Sequence, residues 1–133
     1  MIDVCCAIIL NDEGQILVAQ RSSSMSLPLK MEFPGGKIEP GESPEACLIR
    51  EIKEELNVDI QVLSAIKSNR HVYPEFSIHL IPFICRIISG EVTLREHISY
   101  DWLEASALPD CDWAAADVPI VLNYLDSLKN QPN

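Results

Sequence analysis

Residues 36–58 read GKIEPGESPEACLIREIKEELNV. Ser43 is a helix N-cap residue type, because its hydroxyl can accept an orphan backbone N–H of the first turn. Pro44 suits the first turn, where its missing N–H costs no hydrogen bond. From Pro44 to Leu56 the residues are dense in Ala, Leu, Ile, Glu and Lys, which predicts a helix. Leu48 and Ile52 stand four apart, and Ile49, Ile52 and Leu56 also recur at helical spacing, which predicts its apolar side. Seven of the twenty acidic residues lie between Glu32 and Glu55. On a helix, Glu51, Glu54 and Glu55 fall within an arc of about 100°. Three like charges on one face repel one another. A bound cation would relieve that repulsion, and hard carboxylate oxygens suit Mg²⁺ or Mn²⁺ with room left for waters and phosphates. Taken by itself, the same helix also fits a solvated acidic face.

The spacing of the whole stretch adds to this. Gly36, five residues, Glu42, seven residues, and then Arg50-Glu51-Ile52-Lys53-Glu54-Glu55 resembles the signature of the Nudix hydrolases. Eight of the nine defining positions match; the exception is Asn57, where the family has Gly. Asn tolerates the left-handed conformation of a helix C-cap better than other residues with a side chain, so the departure is small. The resemblance implies an α/β (α+β) Nudix fold, a mixed sheet sandwiched between helices, as a single domain over residues 1–133. It implies hydrolysis of a nucleoside diphosphate linked to another group, with Mg²⁺ or Mn²⁺ as cofactor. Glu51, Glu54 and Glu55 match the metal-ligating glutamates, and Gly36 matches a position whose carbonyl can join the metal shell. Arg50 matches the arginine that holds the glutamates in place, and Glu42 an orienting partner.

Shorter motifs resemble one branch, the MutT-like nucleoside triphosphate pyrophosphohydrolases. They are Glu32-Phe33-Pro34-Gly35-Gly36-Lys37-Ile38-Glu39, Leu17-Val18-Ala19-Gln20-Arg21 and Ala116-Asp117-Val118-Pro119. Glu96 lies six residues before Trp102, the offset of a catalytic glutamate in that branch, and is expected as a metal ligand or general base; a surface carboxylate is the alternative. Glu51 is the other candidate base. His97 next door is expected to be a neighbour rather than a catalyst, and His71 and His79 less still. Arg21 and Lys37 are candidate phosphate contacts, Phe33 a candidate wall of the nucleoside pocket. Asp117 sits where the branch reads the base, and members selective for 8-oxoguanine have Asn there. An ionised Asp can only accept hydrogen bonds, which suits a donor-bearing edge such as cytosine, and guanine-type bases also carry donors. Asp117 equally fits an N-cap for the final helix.

Outward from this stretch, Ile2–Leu10 reads as a strand, residues 11–14 as a turn and residues 16–21 as the returning strand. Residues 21–30 form a Ser-rich surface loop. Residues 59–66 and 76–88 read as strands, with a turn at Tyr73-Pro74-Glu75, and Pro82 suggests that the second is an edge strand or carries a bulge. Residues 98–103 are a further strand candidate. Val118, Val121, Leu122, Leu125 and Leu128 suggest the apolar stripe of a C-terminal helix, followed by a polar tail at residues 130–133. Strands and helices in this order point to helices packed on a mixed sheet.

Composition narrows the function classes. Ten basic against twenty acidic residues give a formal net charge of −10, which excludes broad affinity for a nucleic-acid backbone. The apolar run Val4–Leu10 is too short to span a bilayer, and Asp3 with no early basic residue argues against a secretory signal. Five cysteines, none in Cys-x-x-Cys spacing, are expected as reduced core residues of a soluble cytoplasmic protein. The expected partner is a small nucleoside triphosphate, with 8-oxo-dGTP and cytidine triphosphates the leading substrates. A monomer or a homodimer both remain open. The competing readings are a Nudix hydrolase of a nucleoside diphosphate sugar or dinucleoside polyphosphate, and a non-catalytic nucleotide-binding module. Retention of every signature glutamate weighs against the last.

Overall fold

The period-two alternation of side chains along β1 (Ile2–Leu10) divides one strand between two cores. Cys5, Ala7 and Ile9 face one way and pack with Leu48, Ile52 and Leu56 of α1 (Pro44–Leu56). Cys6 and Ile8 face the other way and pack with Ile120, Val121 and Tyr124 of α2 (Val118–Lys129). The sheet therefore lies between the two helices, as the sequence predicts. The structure, a computed structural model, describes residues 1–129, and the polar tail read at residues 130–133 lies outside the described residues. Among them, no helix is long and apolar enough to cross a membrane.

Eight strands form the mixed sheet: β1, β2 (Ile16–Gln20), β3 (Met31–Glu32), β4 (Gly35–Lys37), β5 (Asp59–Ala65), β6 (Asn69–Val72), β7 (Ser77–Ser89) and β8 (Ser99–Leu103). β1 runs parallel to β7 along its whole length. Its other edge is shared, since β2 pairs at Leu10 and β4 pairs at Val4–Cys6. β2 turns away to bond β3 and β8, and β5 and β6 bond the far side of β7. The cavity that forms the candidate site is lined in part by Cys5 and Cys6 of β1 and by Gly35, Gly36 and Lys37 of β4.

Three expectations are corrected. Pro82 stands in a central strand rather than at an edge, while the bulge alternative meets a register shift in the adjoining β5–β7 ladder, between Val62 and Ser64. The Pro82 carbonyl accepts from the Ile66 N–H (3.2 Å), and in a strand N and O of one residue point the same way, so its missing N–H faces the crossing between β5 and β6 and leaves the β1 ladder intact. The buried face of α2 is Ile120, Val121 and Tyr124, whereas Val118, Leu122 and Leu128 are exposed. On α1, Ile49 is exposed while Leu48, Ile52 and Leu56 are buried. Short strands β3, β4 and β6 carry too little periodicity to be read in advance.

All five cysteines are free: Cys5, Cys6, Cys47 and Cys85 are buried and Cys111 is half-buried. The Cys5 thiol bonds the Cys47 sulfur at 3.1 Å, joining β1 to α1.

Candidate active site

Helix α1 starts and stops where its sequence says. The Ser43 hydroxyl accepts the Ala46 N–H (3.1 Å), and Asn57 takes the left-handed conformation (φ 60°) while its N–H bonds the Lys53 carbonyl. Asn57 also does something Gly could not: its Oδ1 accepts from Arg95 Nη2 at 2.9 Å. Two backbone bonds fasten the same segment to α1, from Thr93 N–H to the Leu56 carbonyl (2.9 Å) and from Arg95 N–H to the Glu55 carbonyl (3.2 Å). The loop carrying Glu96 is thereby laid over the C-terminal end of the glutamate helix.

A cavity of about 660 Å³ opens there. One end holds Glu51, Glu55 and Glu96, with Gly36 and Lys37 of β4 beside them. The other end holds Phe33, Asp117 and Tyr73, with Arg21 and Glu32 in the wall between. Eight of the ten sequence-chosen residues thus share one cavity. The two left out, Arg50 and Glu54, sit on the rim side of α1. Arg50 grips Glu42 through Nε (2.8 Å) and Nη2 (2.9 Å), and its Nη1 reaches Glu51 (2.9 Å) and Glu54 (3.4 Å). These bonds hold the Glu42 carboxyl down at about 2 and raise the Arg50 guanidinium further above its ordinary value. Arg50 is therefore a fixed post among three carboxylates.

Glu55 is the most strained charge of the set. Burial, followed by the negative charges of Glu32, Glu51 and Glu96, pushes its carboxyl up to about 9. Among the described residues, no three His, Cys, Asp or Glu side chains stand in a ready-made coordination geometry. The donor chemistry nevertheless fits a hard divalent cation, since such an ion would remove the penalty on Glu55. Glu51 lies close over Gly36, in space that a side chain there would fill. The Gly36 carbonyl itself accepts the thiols of Cys5 (3.5 Å) and Cys47 (3.8 Å).

Asp117 does not act as the cap of α2. It ends a 3₁₀ segment, Ala115–Asp117, and its Oδ2 accepts the Phe33 N–H at 2.9 Å. Burial pushes its carboxyl up to about 8, against the opposing pull of the Phe33 N–H, so at neutral pH the carboxyl carries a proton. A neutral carboxyl can donate as well as accept, unlike the ionised, accept-only Asp expected from the sequence. Phe33 is both wall and core, with its ring 4.8 Å from that of Trp113. Arg21 is committed within the protein, to Glu32 (2.6 Å) and to the Ser26 carbonyl (2.6 Å). The Ser-rich loop it anchors is on the surface as expected, yet Met25, Ser26 and Leu27 also line the cavity.

Residues 1–123 match the NUDIX domain. The chain belongs to the Nudix family. Relatives include the CTP pyrophosphohydrolase of Escherichia coli (strain K12), 34% identical over 94% of this chain and 92% of that protein. The 8-oxo-dGTP diphosphatase of the same organism is 29% identical over 90% and 93%. Among solved structures, the solution structure of the E. coli ORF135 protein superposes with a TM-score of 0.85 at 31% identity, covering 99% of this chain and 94% of that one. The chain is a Nudix hydrolase acting on phosphoanhydride bonds, and the mixed sheet flanked by helices is the fold of its MutT-like neighbours.

Sequence reading missed three parts of this Nudix cavity. Glu32 was seen only as part of a motif, and no pattern marked it as the partner of Arg21. Tyr73 was read as a turn residue, but its hydroxyl accepts the Ala116 N–H (3.0 Å) and its ring stacks 4.9 Å from Phe76. His97 is fully enclosed between Glu32 and Glu55, whereas adjacency to Glu96 was its only signal. His71 and His79 stay outside the site: His71 packs on Tyr73, and His79 bonds Ser68 and Asp3.

Proposed function

We propose that this Nudix hydrolase cleaves (deoxy)nucleoside triphosphates to a nucleoside monophosphate and pyrophosphate, acting on a nucleotide-pool substrate such as 8-oxo-dGTP or a cytidine triphosphate. The observation that carries the reading is the cavity itself, with carboxylates gathered at one end and a buried, proton-bearing Asp117 beside Phe33 at the other. That polarity matches a ligand with a phosphate chain at one end and a base at the other.

Nudix hydrolases use divalent cations such as Mg²⁺. Glu51, Glu54, Glu55 and Glu96 would hold the ion, with Gly36 allowing Glu51 to approach. When bound, the cation supplies Lewis acidity toward the phosphates and lowers the pKa of a water. Arg50 keeps Glu51 and Glu54 from rotating away. A carboxylate oxygen of Glu51 or Glu96 accepts the proton of the water that attacks the β-phosphorus. Lys37, exposed at the end of β4, meets the phosphates, and Arg21 braces the wall through Glu32. Phe33 and Asp117 take the base, Asp117 offering both a donor and an acceptor. The protein works in the cytoplasm on a diffusible nucleotide.

A panel of (d)NTPs, including oxidised and methylated bases, assayed for pyrophosphate release with Mg²⁺ tests this reading. Turnover of one or a few triphosphates far above the rest is expected. Preference for a nucleoside diphosphate sugar or dinucleoside polyphosphate over every triphosphate would overturn it.

A further inference from the structure

The loop that delivers Glu96 also delivers His97, whose imidazole has no exposed surface. Its Nε2 bonds Glu32 Oε2 at 2.7 Å. Its Nδ1 points at Glu55 Oε2, 3.6 Å away, and is a buried polar atom with no hydrogen-bond partner among the described residues. A native fold seldom leaves such an atom unpaired without a reason. Glu32 in turn holds Arg21 through its other oxygen at 2.6 Å. Arg21, Glu32, His97 and Glu55 thus follow one another along the cavity from the loop side to the glutamate helix, with the 3.6 Å His97–Glu55 step the one not closed by a hydrogen bond.

We propose that His97 is a positioning residue for the glutamate cluster: pinned to Glu32 through Nε2, its ring holds the Glu55 carboxylate turned into the cavity, toward a divalent cation shared with Glu51 and Glu96. An aliphatic side chain in the same place would leave both buried carboxylates without a polar neighbour on that side. Groups that orient metal-binding side chains typically contribute 10–100-fold in metal affinity or activity. This inference rests on the reading of Glu51, Glu55 and Glu96 as cation-holding groups.

The test is Mn²⁺ binding to the full chain without nucleotide, followed by the electron paramagnetic resonance signal of free Mn²⁺. The parent, His97→Phe and His97→Gln are compared, with thermal melts and with kcat and KM on the preferred triphosphate. Phe keeps the ring shape and removes both nitrogens; Gln keeps a donor for Glu32 and loses the group facing Glu55. The expected result is Mn²⁺ binding weaker by about tenfold or more in His97→Phe, with part of the loss recovered in His97→Gln. With Mg²⁺ held at a fixed subsaturating level, kcat should fall while KM for nucleotide changes little. A folded His97→Phe that binds Mn²⁺ as the parent does would overturn the proposal and leave the glutamate reading standing. A parent that binds no Mn²⁺ overturns both. If His97→Phe does not melt cooperatively, His97→Gln alone decides: a loss of about threefold or more supports the proposal, and parental affinity overturns it.

Discussion

The Glu51 carboxylate occupies the space that any side chain at Gly36 would need: a Cβ there would stand 2.3 Å from the Glu51 Cδ. The obstacle is the end of a flexible side chain, so Gly36→Ala is expected to displace Glu51 rather than break the fold. Gly35 differs, because a Cβ there would stand 1.9 Å from the backbone oxygen of Cys5 in β1. Gly35→Ala should therefore cost about 2 kcal/mol or more in stability, whereas Gly36→Ala should melt close to the parent yet lose most of its turnover. Thermal melts paired with initial rates separate the two, and equal behaviour of both variants would contradict this placement of Glu51.

Glu55 and Asp117 make stability depend on pH. Their carboxyls are raised from ordinary values to about 9 and about 8, so the folded chain binds those protons more tightly than the unfolded chain. The stability they contribute is complete in acid, below the ordinary carboxyl range, and is lost as pH rises toward those raised values. In EDTA, the melting temperature should fall between about pH 5 and pH 8, and Glu55→Gln should flatten part of that fall. Saturating Mg²⁺ should flatten it as well, because a cation stabilises the ionised form of Glu55. An unchanged slope in Glu55→Gln would show that burial of this carboxyl is not the cause.

Asp117→Asn should leave the backbone in place, since an amide oxygen can still accept the Phe33 N–H. At neutral pH both the buried carboxyl and the amide offer a donor and an acceptor. The ratio of kcat/KM between 8-oxo-dGTP and CTP should accordingly move by only a few-fold near pH 7. It should move further above about pH 8, where Asp117 ionises and the amide does not. Ratios unaffected by the substitution at every pH would remove Asp117 from base selection.

At Asn57, with φ 60°, a β-branched residue is strained and Asn57→Val should destabilise by about 1–3 kcal/mol. Asn57→Gly keeps the cap but releases Arg95, and should lower turnover more than it lowers the melting temperature.

The helix and its acidic face were legible because their determinants are local: Ser43, Pro44 and the glutamate spacing all act within a few turns. The strand character of β1 was legible in its apolar run, but the division of its side chains between two cores was not, because Val4–Leu10 is apolar at every position and carries no alternation to read. What escaped the sequence depends on contacts between distant segments. His97 meets Glu32 across sixty-five positions, and Asp117 meets Phe33 across eighty-four. The protonation of Asp117 likewise follows from burial that no neighbouring residue announces. The edge reading of Pro82 failed because a missing N–H excludes a central strand only where a paired strand needs that donor, and here it faces the crossing between β5 and β6.

The central claim is that the carboxylates in this cavity drive attack on a triphosphate at the β-phosphorus. Phosphorus NMR of products formed from the preferred triphosphate in ¹⁸O-enriched water tests it most directly, with Mg²⁺, with EDTA, and with Glu55→Gln in Mg²⁺. The account predicts nucleoside monophosphate and ¹⁸O-labelled pyrophosphate in the first sample, and turnover lower by orders of magnitude in the other two. Release of orthophosphate, label in the monophosphate, or full turnover in EDTA would contradict it.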